Sequence, residues 1–294
     1  MLSEEVRRKV RLIEFTTRKM VDDALSGSYK SRFKGQGVQF SEHRLYMAGD
    51  DVRHIDWKVS ARSRDPVIKK FEEERELNVL ILVDVSGSKR FGSHAKLKSE
   101  VAAEIAGLLS YAAVHTGDKV GLLLFSEKVE KILPPKKGRS HIQRIINEVL
   151  SFEPKYQGTK LSLAFDSANR ILKHSGVIFI LSDFLDKDYE ISLKRLAKKH
   201  DVTALTITDP REHNLPNVGS LTFWDAEAGA EVFVDTGSFR FRQWFEEMTK
   251  GRAQNFTASM KNSGVDQLTV SSHENYIDLV VKFFQKKLKR GNRR

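Results

Sequence analysis

The sequence predicts an α/β protein with a doubly wound, mostly parallel sheet and an N-terminal helical and irregular extension. Short runs rich in Val, Ile and Leu recur along the chain, for example at residues 78–85, 118–126 and 177–184. Amphipathic helical patterns separate these runs. Within each run apolar residues occupy consecutive positions, which is typical of parallel strands covered by helices on both faces.

The first 76 residues form the predicted extension. From Val6 to Leu25 apolar residues recur at helical spacing, so one amphipathic helix is expected there. Residues 29–76 are dense in charge and are interrupted by glycines, which predicts an elaborate loop with short strands. We expect this extension to pack on the core that begins at residue 77.

The core domain is predicted to run from residue 77 to residue 294. A hairpin insertion is expected near residues 218–236, with its turn at Glu227 to Gly229. The sequence shows no internal repeat and no low-complexity linker, so one compact domain is favoured over two. Strands are predicted at 78–85, 118–126, 177–184, 201–210 and 266–272, and helices at 94–117, 139–152, 160–176, 189–200, 240–264 and from Tyr276.

The composition narrows the class of protein. The chain contains no Cys, which excludes a disulfide framework, a thiolate metal site and a Cys nucleophile, and favours the cytoplasm. Acidic residues precede the first apolar run, which argues against a signal peptide, and the apolar runs are far shorter than the ~20 residues of a membrane-spanning helix. We therefore expect a soluble, cytoplasmic protein without a transmembrane segment.

The net charge of +11 suits a nucleic acid, an anionic membrane surface or an acidic protein as a partner. Part of this charge lies in residues 282–294, which contain no acid. Cations at the C-terminal end of a helix are stabilised by the helix dipole. A solvated helix end is therefore favoured there over a dedicated phosphate-binding patch.

Polar clusters stand where the predicted strands end, and the carboxyl ends of parallel strands are where such sheets bind ligands. Asp84, Ser86 and Ser88 follow the first apolar strand, Asp183 follows a later one, and Thr159 lies in a loop that leads into a helix. Two carboxylates and three hydroxyls form a hard, oxygen-only set that suits Mg²⁺ or Mn²⁺. Helix capping is the alternative role for Asp and Ser at such positions, and the combined set favours a metal site.

The order Asp84-x-Ser86-x-Ser88, Thr159, Asp183 resembles the metal-ion-dependent adhesion site of von Willebrand factor A domains. All five positions match, on the same elements of the fold. The resemblance implies a von Willebrand A-like domain in which these residues hold Mg²⁺ (or Mn²⁺) directly or through water. It also implies that a Glu or Asp of a partner protein supplies the missing ligand.

Residues 43–62, HRLYMAGDDVRHIDWKVSAR, resemble the signature of the bacterial family called domain of unknown function fifty-eight. Members carry such a block before a von Willebrand A-like domain, and the resemblance covers nearly the whole chain. Many members have N-terminal transmembrane helices, which are not found in this sequence. The resemblance implies an adaptor or chaperone-like module that works with an AAA+ ATPase of the MoxR type.

Taken by itself, the block at residues 43–62 mixes charged residues with Tyr46 and Trp57. The favoured interpretation is structural: charge-assisted hydrogen bonds fasten an irregular segment to the sheet, with Trp57 as the apolar anchor. The alternative is a docking surface. Its residues would be Arg44, Asp50, Asp51, Arg53, Asp56, Trp57 and Arg62.

A Mg²⁺-dependent hydrolase is the enzymatic alternative. A haloacid-dehalogenase-like phosphatase places a second Asp two residues after the first, where this chain has Ser86. The serine-hydrolase motif Gly-x-Ser-x-Gly, the Walker A motif and a full dinucleotide fingerprint do not occur in the sequence. We therefore predict a non-enzymatic, metal-dependent protein-interaction module, with a nucleic-acid-binding protein as the next alternative because of the basic charge.

Overall fold

The computed structural model describes residues 8, 10–13, 38–47, 49–62, 65–73, 76–87, 97–212, 215–225, 230–271, 276, 278–280 and 282–283. Ten strands and six helices lie wholly within these ranges, with short 3₁₀ turns at Val52–His54 and Pro210–Glu212. The strands are β1 (Val38–Leu45), β2 (Val67–Glu73), β3 (Asn78–Asp84), β4 (Lys119–Phe125), β5 (Val129–Lys136), β6 (Val177–Leu181), β7 (Asp201–Thr208), β8 (Ser220–Asp225), β9 (Ala230–Asp235) and β10 (Asp266–Ser271). The helices are α1 (Trp57–Ser60), α2 (Lys98–His115), α3 (Arg139–Ser151), α4 (Leu161–Ile171), α5 (Glu190–Lys199) and α6 (Phe239–Ser263).

The central sheet has six strands in the order β10-β7-β6-β3-β4-β5. All neighbours pair in parallel except β4 and β5, which are antiparallel. Helices connect the parallel strands, as they must when each strand has to return to the same end of the sheet. The predicted doubly wound, mostly parallel sheet is confirmed.

Both faces of this sheet are buried, because side chains alternate across a strand. In β3, Val79, Ile81 and Val83 belong to an apolar cluster with α2 and α3. Leu80 and Leu82 belong to a second cluster with α4 and α5 on the other face. The continuous apolar runs in the sequence are thus explained by helices on both sides of the sheet.

The extension before the sheet consists of β1 and β2, an antiparallel pair, with a 3₁₀ turn and α1 between them. This arrangement agrees with the predicted loop with short strands. Most of the predicted helix from Val6 to Leu25 lies outside the described residues. Residues 8 and 10–13 are helical, and Val10 and Ile13 pack into the apolar cluster that contains α2 and α3.

After the sheet strand β7, β8 and β9 form an antiparallel hairpin. Its predicted turn, Glu227 to Gly229, lies outside the described residues. The long helix α6 follows, and its two buried residues, Met260 and Ser263, lie in its last turn. Of the predicted helix from Tyr276, residues 276, 278–280 and 282–283 are helical, and the remainder is not described.

Among the helices that the structure describes, none combines the length and the apolar character needed to cross a membrane.

Candidate functional site

The strand order of the sheet reverses between β3 and β6. From β3 the chain continues to β4 and β5 on one side, and then returns to β6, β7 and β10 on the other side. In open α/β sheets, ligands bind in the crevice outside the carboxyl ends of the strands at such a reversal. Asp84 is the last residue of β3, and Asp183 stands two residues beyond the end of β6, so both lie at this edge.

The Asp84 carboxylate is fully buried and is oriented by hydrogen bonds to both of its oxygens. The Ser86 backbone N–H donates to Oδ1 at 3.0 Å, and the Ser182 hydroxyl donates to Oδ2 at 2.7 Å. Ser182 is itself fixed, because its backbone N–H donates to the Leu205 carbonyl at 3.2 Å. These hydrogen bonds fix the position of the Asp84 carboxylate at the end of β3.

Thr159 lies in the loop between α3 and α4, and hydrogen bonds on both sides of it hold the loop at the site. The Gly87 N–H donates to the Gln157 carbonyl at 3.2 Å, which joins this loop to the segment after β3. The Lys160 N–H donates to the Ser126 carbonyl at 2.9 Å, which joins it to the end of β4. Thr159 is half-buried in this position.

Glu130 supports the same loop from β5. Its Oε1 accepts hydrogen bonds from the Ser126 hydroxyl at 2.7 Å and from the backbone N–H groups of Lys155 and Tyr156 at 3.1 and 3.2 Å. The two backbone donors, Lys155 and Tyr156, lie in the middle of the loop, so Glu130 fixes this part of the loop and limits where Thr159 can lie.

Asp183 lies in a tightly structured turn after β6. Phe184, the next residue, has a φ of 56°, a left-handed conformation that costs energy for a residue with a side chain. Its buried ring packs on Phe256 of α6, with 4.9 Å between ring centroids, and on Tyr189 at 6.0 Å. The Phe184 N–H donates to the Ser182 hydroxyl at 3.1 Å. This packing holds the half-buried Asp183 beside the end of β3.

A second carboxylate, Asp186, ties this turn to the start of α4. Its Oδ2 accepts a hydrogen bond from the Leu161 N–H at 2.7 Å, and its Oδ1 lies 3.7 Å from the Lys160 ammonium. Asp186 therefore joins the turn that contains Asp183 to the loop that contains Thr159, close to both residues.

The structure thus brings Asp84 and Ser86 to one edge of the sheet, with Thr159 and Asp183 on adjoining loops. Ser88 lies outside the described residues. Within the described ranges no group of three or more His, Asp or Glu side chains could hold a metal ion. The donor set contains two carboxylates and otherwise hydroxyl oxygens, and this chemistry fits Mg²⁺ or Mn²⁺.

Sequence reasoning missed Ser182, Glu130 and Asp186. Ser182 had a recognisable signal, because it is a polar residue between the apolar run of β6 and Asp183. Glu130 and Asp186 had none, since each acts on a loop that is distant in sequence.

A cavity of about 490 Å³ opens beside Asp84. It lies between the start of α2, the end of α3 and the end of β3. The residues that line it include two acids, Asp84 and Glu153, and apolar residues such as Val85, Leu97 and Val149.

The block at residues 43–62 is held together by its own side chains. Arg44 donates to Asp50 at 2.7 Å, and Asp50 also accepts from the Met47 N–H at 2.8 Å. The Met47 hydrogen bond, followed by that from Arg44, lowers the pKa of Asp50. Asp51 accepts from the Arg53 N–H at the start of the 3₁₀ turn.

Asp56 caps α1 by accepting from the N–H groups of Lys58 and Val59, and it also contacts His43 at 3.1 Å. The predicted charge-assisted bonds are therefore present, but those described join parts of the block to one another. The expected role of Trp57 as an apolar anchor is wrong, because 69% of this residue is exposed. Asp56, which caps the short helix that Trp57 begins, fixes its position instead.

Comparison with known proteins places this arrangement in a family. Residues 42–255 match the family model described as "Protein of unknown function DUF58". The "Uncharacterized protein Mb1516" of Mycobacterium bovis is 28% identical over 279 residues, which cover 93% of this chain and 87% of that protein. The resemblance predicted from residues 43–62 is confirmed.

Solved structures with low sequence identity are also similar. An aerotolerance-related membrane protein from Bacteroides fragilis has a TM-score of 0.47 and 18% identity, covering 73% of this chain and 99% of that chain. The SpRpn10 VWA domain has a TM-score of 0.42 and 13% identity, covering 70% of this chain and 94% of that chain.

The expectation of a cytoplasmic location is corrected by these comparisons. The similar protein from Bacteroides fragilis is named as a membrane protein. The expectation relied on the lack of Cys and of a long apolar run, and neither feature of a sequence identifies the compartment of a protein.

Proposed function

We propose, since this chain belongs to the DUF58 family of proteins of unknown function, that it is a non-enzymatic protein-interaction module whose partner binds at the carboxyl-end edge of the sheet. The observation that carries this proposal is the buried Asp84 carboxylate, which Ser86 and Ser182 orient at the point where the strand order reverses. A crevice at this point is the usual ligand site of such sheets.

We further propose that this edge binds a divalent cation. A buried carboxylate at the reversal of the strand order supports this, as do the hydroxyl-rich composition of the set and the hydrogen bond that joins the Thr159 loop to the segment after β3. A bound Mg²⁺ or Mn²⁺ would offer an open coordination position to a carboxylate of the partner. The residues that would hold it are Asp84, Ser86, Ser88, Thr159 and Asp183.

The surroundings of the site support a protein as the partner. Leu97 lines the cavity beside Asp84, Leu163 lies in the first turn of α4 after Thr159, and Leu185 stands two residues after Asp183. All three side chains are exposed. Apolar side chains around a buried polar centre are typical of protein–protein interfaces, where the apolar contacts exclude water from the polar contact.

The positions of the buried histidines support a role without catalysis. Among the described residues two histidines are buried, His141 and His200. His141 Nε2 lies 2.9 Å from the Val120 carbonyl at the start of β4, and His200 directly precedes β7. Both therefore lie at the amino ends of the strands, opposite Asp84, where neither can serve as a general base for a substrate at the site.

An AAA+ ATPase of the MoxR type is the partner that we propose. The support is the family resemblance of residues 43–62, together with the absence of a Walker A motif from this sequence. In such a pair the ATPase hydrolyses the nucleotide, and this chain contributes the metal-dependent contact.

The metal site is tested by titrating the chain with Mn²⁺ in a calorimeter. Asp183→Ala is the test variant, because Asp183 is half-exposed and its loss should not prevent folding. Asp166→Ala is the matched control, since this Asp on α4 pairs with Arg195 at 3.2 Å. We expect Asp183→Ala to bind Mn²⁺ at least about tenfold more weakly, the scale seen when metal-site partners are removed. The control should bind like wild type, and equal affinity in all three proteins would contradict the site.

The partner is tested with a purified MoxR-type ATPase immobilised on beads. Retention of the wild-type chain in Mg²⁺, and its loss in EDTA or in Asp183→Ala, is the expected result. If neither EDTA nor Asp183→Ala reduces retention, the chain binds the ATPase without a metal bridge. Binding that disappears on nuclease treatment would favour the nucleic-acid alternative.

A further inference from the structure

A segment that carries acidic residues and lacks basic ones lies outside the candidate site. Residues 215–239, which we call the acidic arm, include the β8–β9 hairpin and end at the first residue of α6. They contain Asp225, Glu227, Glu231 and Asp235 and no Lys, Arg or His, in a chain whose net charge is +11. The arm therefore has the opposite charge to the protein as a whole.

The acidic arm also exposes large apolar side chains. Phe233 is 72% exposed and Phe239 is 71% exposed. Glu231, Phe233 and Asp235 alternate along β9, so they share one face of the hairpin, and all three are exposed. Aromatic side chains are enriched at protein–protein interfaces, so Phe233 is a candidate contact residue on this face.

The 43–62 block exposes apolar and basic side chains, which complement the apolar and acidic side chains of the arm. Four of its apolar residues, Leu45, Met47, Val52 and Trp57, are between 58 and 69% exposed. Its three acids are engaged by neighbours inside the block, as described above. Lys58 and Arg62 are exposed, and the described residues provide neither with an ion pair. The block therefore presents cations beside exposed apolar side chains.

We propose that the acidic arm of one copy of this chain binds the 43–62 block of a second copy. Opposite charge steers the two surfaces together, and Phe233 and Trp57 provide the apolar contacts. Both surfaces are exposed in a single copy, so neither covers the other within one chain. Contact between two arms is disfavoured because both are acidic. Two copies can exchange these contacts reciprocally in a two-fold dimer, and otherwise the contact produces rings or open chains of copies.

The test is sedimentation velocity over a range of protein concentrations at low salt, with EDTA present throughout. EDTA separates this contact from the proposed metal site, so failure of either proposal leaves the other intact. The variants are Phe233→Ser in the arm and Trp57→Ser in the block. Ile191→Ser is the matched control, because Ile191 is an exposed apolar residue on α5, outside both surfaces.

Wild type and Ile191→Ser should self-associate, and high salt should weaken the association. Each test variant alone should associate at least about tenfold more weakly, the scale for the loss of an aromatic anchor. An equimolar mixture of the two variants should form a complex of two chains, because one supplies an intact block and the other an intact arm.

Four results would overturn the proposal. Wild type that stays monomeric at every concentration rules out the contact. A mixture that fails to restore association indicates that like surfaces meet. Association lost in Phe233→Ser and unchanged in Trp57→Ser indicates that the arm binds elsewhere. A monomer that instead binds vesicles of anionic lipid through Trp57 also overturns it, in favour of a membrane surface.

Discussion

The ion pair between Lys98 and Glu212 allows an asymmetric prediction. Lys98 is the first residue of α2, its side chain is 1% exposed, and it pairs with Glu212 in the 3₁₀ turn after β7. One third of the Glu212 side chain, 33%, remains exposed. The positive end of the α2 dipole adds to the cost of an ammonium at this position, which makes the carboxylate necessary.

Glu212→Gln leaves a buried ammonium without its partner, and we expect it to lower the free energy of unfolding by about 3 kcal/mol. Lys98→Met removes the buried charge and keeps most of the side-chain volume, and the partly exposed Glu212 carboxylate can be solvated by water. That change should cost less than about 1.5 kcal/mol. In the wild type, Glu212 accepts a hydrogen bond from the Asp209 N–H at 3.1 Å. The side-chain oxygen of glutamine can accept the same hydrogen bond, so the loss of charge is the main difference between the two proteins.

Urea unfolding at neutral pH measures both free energies. The double variant Lys98→Met with Glu212→Gln is the control, and it should resemble Lys98→Met because no buried charge is left. If Glu212→Gln proves no less stable than Lys98→Met, the reasoning from the buried ammonium is refuted.

Two further predictions concern stability. Burial, with a smaller effect from Lys199, lowers the pKa of His200 from 6.5 to about 4. Between pH 6.5 and about 4 the histidine is therefore protonated in the unfolded chain and neutral in the folded chain, and falling pH favours unfolding. The urea midpoint of wild type should therefore fall over this range more steeply than that of His200→Gln, and parallel curves would contradict the assignment. Gly176→Ala should lower the free energy of unfolding by about 1–3 kcal/mol, because the added Cβ would lie 2.5 Å from the Asn78 carbonyl oxygen. Gly251→Ala, with open space around the added Cβ, should raise the free energy of unfolding by up to about 1 kcal/mol. If thermal unfolding shows equal effects of the two changes, this reasoning is wrong.

Much of the fold follows from the sequence, because local pattern and tertiary burial agree. The runs of β3, β4 and β6 are apolar at consecutive positions, and the structure buries both faces of each strand. The extent of α6 was also predictable from its helical pattern and from Gly264, which takes the left-handed conformation just after the helix. Strand order was not predictable residue by residue, since it depends on contacts between segments far apart in sequence.

For the site, sequence order predicted which residues meet at the edge of the sheet, but it could not predict how they are held. Asp84 and Asp183 follow apolar strands, and parallel strands bring such residues to one edge. The support from Glu130 and Asp186 depends on loop paths, which carry no periodic signal. Trp57 was misjudged for a related reason: aromatic residues are usually buried, and only the tertiary structure shows that this one faces solvent.

The hydrogen bond from Ser182 to Asp84 joins residues 98 positions apart in the sequence. It forms only when β6 has paired with β3, after the helices and strands between them have been placed. Such long-range pairing is a late step in folding, because loop closure must precede it. A ligand of this site therefore binds the completed sheet and not its fragments, and it stabilises the native chain by mass action. During synthesis the chain cannot bind a partner through this edge until β6 has emerged and paired with β3.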